Sequence, residues 1–122
     1  QESGQYIVYS KTGSVKTSFN TKILTKDWII KIQELGAGEI VLNCMNQDGV
    51  KRGFDIKQLN YMSDVINVPL IASGGAGKEK DFFNFLNNPK ISGALAATVF
   101  HNSEIQIEDL KNFLKQNNIH IR

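Results

Sequence analysis

Strand-like and helix-like runs alternate three times along this 122-residue chain, and the strand-like runs start about 25 to 30 residues apart. Glu39–Asn43, Pro69–Ala72 and Ala94–Ala97 are short and apolar enough to be buried strands. Between and around them apolar residues recur at helical spacing. Trp28, Ile29, Ile32 and Leu35 mark a helix over Asp27–Leu35, and Gly36 stands where a C′ glycine would end it. Ile56, Leu59, Met62 and Ile66 mark a second helix, Phe82, Phe85 and Leu86 a third, and Ile107, Leu110 and Leu114 a last one. This period is that of parallel βαβ units. Right-handed crossovers then leave an open doubly wound sheet or part of a (β/α)8 barrel. A whole barrel needs about 250 residues, so this chain could supply only half of one. Ahead of these units, Tyr6–Ser10, Lys11–Ser14 and Val15–Phe19 read as strand, glycine-containing turn and strand, a β-hairpin.

Composition narrows the class of function. Lys and Arg number 14 against 12 Asp and Glu, for a net charge of +2, and the lysines are scattered. That balance carries no nucleic-acid or membrane footprint. The single Cys44 excludes an internal disulfide and a cysteine-rich metal site, which points to a reducing cytoplasm and to no bound metal. No apolar stretch reaches the length of a membrane span. The opening Gln1-Glu2-Ser3-Gly4 lacks an initiator methionine, so the chain is expected to be a piece of a longer one.

The chemistry gathers where strands end. Pro69–Ala72 runs into Ser73-Gly74-Gly75-Ala76-Gly77-Lys78, whose small residues let backbone N–H groups approach a ligand closely. Successive free N–H groups ahead of a helix attract anions, so this turn reads as a phosphate cradle. A tight strand-to-helix turn that needs glycine for its dihedrals would look the same. The spacing is not the G-x-G-x-x-G of dinucleotide sites. Asp48-Gly49 follows the first parallel strand and Ala96-Ala97-Thr98 the third. In a barrel all three ends would share the carboxyl-terminal face. Asp48 is out of place beside a phosphate dianion. It could instead accept loop N–H groups or hold a sugar hydroxyl.

Gly36–Asn43, Asn46–Val50, Ile71–Gly77 and Gly93–His101 together resemble the cyclase subunit of imidazole glycerol phosphate synthase. The likeness covers essentially the whole chain and falls on that family's C-terminal half, so residues 1–122 would be part of one larger (β/α)8 domain. It implies the cyclase/lyase step of histidine biosynthesis. There a bis-phosphorylated ribonucleotide and ammonia from a glutaminase (glutamine amidotransferase) subunit give imidazole glycerol phosphate and an aminoimidazole-carboxamide ribotide, without a cofactor. Matched residue by residue, the family's phosphate site falls on Asp48, Gly49, Gly75, Ala97 and Thr98. Thr98 stands where serine is common and keeps the hydroxyl. Asn43, Ser73 and Gly74 are further candidate substrate contacts, and Glu39 resembles one member of the charged ring at the ammonia-channel mouth. The family's two catalytic aspartates have no match here, so no residue of this chain is assigned a catalytic role and the isolated chain is expected to be inactive.

Two other functions fit the same strand ends. One is the sister phosphoribosyl sugar isomerase of the pathway, although Asn46–Val50 and Val99–His101 favour the cyclase. The other is a non-catalytic phosphate-binding half-barrel. Cys44 lacks a positioned base and reads as a small buried residue. Phe82, Phe83 and Phe85 read as helix-to-barrel packing. His101 could bond a loop, and His120 has no evident role.

Overall fold

The computed structural model describes residues 5–122, so the expectation resting on Gln1-Glu2-Ser3-Gly4 lies outside the described residues. Ile7–Ser10 (β1) and Phe19–Leu24 (β2) pair antiparallel, with Tyr9 opposite Asn20 and Ser10 opposite Phe19. The hairpin is there, but its second strand begins at Phe19 rather than Val15. The Ser14 carbonyl accepts the N–H groups of Thr17 (3.1 Å) and Ser18 (2.9 Å), and the Thr17 hydroxyl donates to the Lys11 carbonyl at 2.9 Å. These local bonds hold Ser14–Ser18 as a turn instead of a ladder. Val15 accordingly stays 95% exposed.

Thr25–Glu34 (α1) follows directly. Gly36 N–H donates to Gln33 and Ala37 N–H to Ile32, both at 3.0 Å, the paired bonds of a Schellman ending. That motif needs a left-handed residue after the helix, and Gly36 supplies it with φ +93°. Ile40–Asn43 (β3), Leu70–Ser73 (β4) and Gly93–Leu95 (β5) then form a parallel sheet in the order β3-β4-β5. Ile56–Ser63 (α2) and Glu79–Leu86 (α3) are the crossovers, and Thr98–His101 (α4) and Ile107–Gln116 (α5) follow β5. Asp55 caps α2, its side chain accepting Gln58 N–H at 2.9 Å. Ile66 lies beyond α2 and still packs against the core.

The register puts Ile40, Leu42, Leu70 and Ala72 on the buried side of the sheet. There they join Ile29 of α1, Leu59 and Met62 of α2, Phe82 and Phe85 of α3, and Leu110 and Leu114 of α5. The helices therefore lie on one face. On the other, Val41 is 54% and Leu95 46% exposed. A sheet whose strands follow chain order without reversal, with helices on one face only, is an arc of barrel wall. The fold is α/β and matches part of a (β/α)8 barrel.

Candidate phosphate-binding site

At the carboxyl ends of the three parallel strands lies a hollow of about 150 Å³. Its lining includes Asn43, Asp48, Gly49, Ser73, Gly74, Gly75, Ala97 and Thr98, every strand-end residue singled out from the sequence. Parallel pairing explains the convergence. Asn43 is in register with Ser73, and Ser73 with Leu95, so each strand delivers its following loop to the same edge. Cys44 N–H extends the ladder by donating to the Ser73 carbonyl at 3.0 Å.

Two loops close against each other here. Gly53 N–H donates to the Gly75 carbonyl at 2.8 Å, clasping the β3–α2 loop onto the β4–α3 turn. A Cβ on Gly75 would stand 2.2 Å from the Gly53 carbonyl oxygen, so no larger residue fits. Both sequence-level readings of this turn thus bear on Gly75, and the packing requirement is met whether or not a ligand is held. Asp81, at the third position of α3, accepts the N–H groups of Gly77 and Lys78 with one carboxylate oxygen, each at 2.9 Å. Accepting loop N–H groups was one of the two roles open to Asp48, the other being to hold a sugar hydroxyl. Asp48 is exposed, and its own N–H donates to the Cys44 carbonyl at 3.0 Å.

The third strand stops at Leu95 rather than Ala97. Phe100 and His101 N–H groups both donate to the Ala97 carbonyl, at 3.1 and 2.9 Å, which starts α4 at Thr98. Ala97 and Thr98 still border the hollow, from a helical turn instead of a strand end. Glu39 does not. It precedes β3, is exposed, and stands at the opposite end of a four-residue strand, about 13 Å from Asn43 at the usual rise. Among the described residues it makes no salt bridge.

Lys51 and Leu95, which the sequence motifs did not single out, also line the hollow, with Ala76 and Ala96 from the strand-end runs. Lys51 was open to discovery as the first cation after Asp48-Gly49, and Asp81 as an acid three residues into a helix start. Lys51 Nζ pairs with the Glu104 carboxylate from the α4–α5 loop. This bond, with a second from Asn102 Nδ2 at 3.0 Å, holds Glu104 below the usual carboxylate range. Cys44 is buried beside the site, its Sγ 3.7 Å from Asp55 Oδ2. Burial, then the Asp55 charge, push its thiol up, the opposite of what a nucleophile needs. Phe82 and Phe85 are buried and Phe83 packs against the same core. His101 and His120 are exposed. Among the described residues no three His, Cys, Asp or Glu side chains gather to hold a metal, and no helix is long and apolar enough to cross a membrane.

The hollow thus offers backbone donors, a hydroxyl, one cation and one carboxylate, without a buried acid or base. That is equipment for holding an anion. The sequence model of the histidine biosynthesis protein family matches residues 4–106. The chain belongs to that family. It is 50% identical to the imidazole glycerol phosphate synthase subunit HisF of Pseudoalteromonas translucida over 119 residues, 98% of this chain and 46% of that protein. To the subunits of the same name from Vibrio campbellii and Buchnera aphidicola it is 52% identical over all 122 residues, covering 48% and 47% of them. The resemblance drawn from the strand-end motifs is therefore borne out, and the chain spans about half the length of these curated relatives.

Proposed function

We propose that this chain is part of the cyclase subunit of imidazole glycerol phosphate synthase and holds one phosphate of its substrate. The observation that carries the reading is the convergence of Asn43, Asp48, Gly49, Ser73, Gly74, Gly75, Ala97 and Thr98 on one hollow at three parallel strand ends. Residues 1–122 form part of a single larger (β/α)8 domain. Backbone N–H groups and the Thr98 hydroxyl take the phosphate oxygens, while Asp48 faces the sugar side, where its charge does not oppose the phosphate. The substrate is the bis-phosphorylated ribonucleotide. Ammonia from the glutaminase partner enters at the end marked by Glu39, and the products are imidazole glycerol phosphate and the carboxamide ribotide. Acid–base steps belong to aspartates outside this chain, so the chain alone turns nothing over, and the intact enzyme works in the cytoplasm. The subunit name shared by the relatives described above favours this over the sister isomerase.

A chimera tests the reading. The chain replaces the matching half of the Vibrio campbellii subunit, and the chimera is introduced into cells lacking that subunit. Growth without histidine is expected. A soluble, folded chimera that fails to support growth would sink the assignment. In the purified chimera Glu39→Gln is expected to impair glutamine-dependent turnover and spare turnover with free ammonium, and equal losses would remove Glu39 from the channel.

A further inference from the structure

We propose that Lys51 is the cation that grips the ligand's phosphate, exchanging Glu104 for it; this rests on the phosphate reading above. Among the described residues, Lys51 is the only basic side chain lining the hollow, and Asp48 the only acidic one. The backbone N–H groups and the Thr98 hydroxyl carry no formal charge, and Asp48, on the sugar side, offers none that a phosphate could pair with. Lys51 supplies the missing counter-charge from the same loop, three residues on.

The Lys51–Glu104 pair is built to be exchanged. Its side chains are 36% and 37% exposed, so solvent screens it and little is lost when it opens. Glu104 keeps its bond from Asn102 Nδ2 after Lys51 departs. A lysine ammonium carries three donors on a flexible stem and can swing between two oxyanions a short distance apart.

If Lys51 were only a loop tether, Lys51→Met and Glu104→Gln would act alike, since each deletes the same pair. If Lys51 serves the ligand, they act in opposite directions. The test titrates inorganic phosphate into the full 122-residue chain by calorimetry, with circular dichroism as a folding check. Lys51→Met is expected to weaken binding about tenfold or more, the loss of one charge-assisted contact, and to flatten its salt dependence. Lys51→Arg is expected to retain binding, and Glu104→Gln to tighten it by freeing the ammonium. Thr98→Val separates the two claims. If it weakens phosphate while Lys51→Met does not, the site stands and the Lys51 proposal falls. No binding by the unaltered chain overturns both. Should Lys51→Met fail to fold, Glu104→Gln decides, and unchanged or weaker binding by it overturns the proposal.

Discussion

Gly75 combines a left-handed backbone, φ +109°, with a partner's carbonyl oxygen where its Cβ would be. Gly75→Ala is therefore expected to cost more than about 1 kcal/mol, because the clasp to Gly53 must open as well as the dihedral strain be borne. Urea unfolding measures this, and a variant as stable as the parent would show that the two loops can separate freely. Cys44 gives a pH-dependent counterpart. Its folded-state pKa is raised, so protonated Cys44 contributes stability below the unfolded thiol value of about 8.5, and that contribution is lost as pH climbs through the folded value. Asp55→Asn removes the second cause of the rise while leaving a good helix cap. Iodoacetamide alkylation of Cys44 should then speed up at mildly alkaline pH, and an unchanged rate would mean that burial alone governs the thiol.

At the scale of elements, aromatic rings weld α3 to the loop ahead of α2. Phe54 meets Phe82 edge-on at 5.6 Å and Phe85 at 4.4 Å, and Phe82 reaches Phe100 at 5.9 Å. Phe54 directly follows Gly53, whose N–H clasps the Gly75 turn at the hollow. Phe82→Ala should cost about 3–5 kcal/mol, the range for emptying a well-packed aromatic site. Phe83→Ala should cost clearly less, since Phe83 is half-buried against Phe113. Thermal unfolding of the two variants checks the order, and equal losses would mean that the outer aromatic pair is as closely packed as the inner one. Element boundaries also show where sequence patterns mislead. Val15 is β-branched and Ala97 ends an apolar run, yet Val15 lies in a turn closed by Ser14 and Ala97 opens α4. Local hydrogen bonds from neighbouring residues outweighed the apolar pattern at both places.

Across the whole molecule, the sheet face opposite the helices leaves Val41 and Leu95 largely open, with Ile71 between them in the next strand. β3 and β5 are edge strands with ladder groups on one side unpaired within the sheet. Open edges beside an apolar face favour association. Light scattering should find the chain self-associated at micromolar concentration, and Leu95→Lys should shift it toward monomer; a parent chain that stays monomeric would contradict this. The strand–helix alternation, the Schellman glycine and the loop residues Asp48, Gly49, Ser73, Gly74, Gly75, Ala97 and Thr98 were legible in the chain itself, whereas Asn43 entered through the family resemblance. They depend on local periodicity, backbone dihedrals and small side chains at recurrent positions, which are written along the sequence. The pairing of Lys51 with Glu104 and the demand that Gly53 makes on Gly75 were not. Each depends on which distant segments meet: Lys51 and Glu104 are 53 residues apart, and only the parallel register of β3, β4 and β5 brings their loops together.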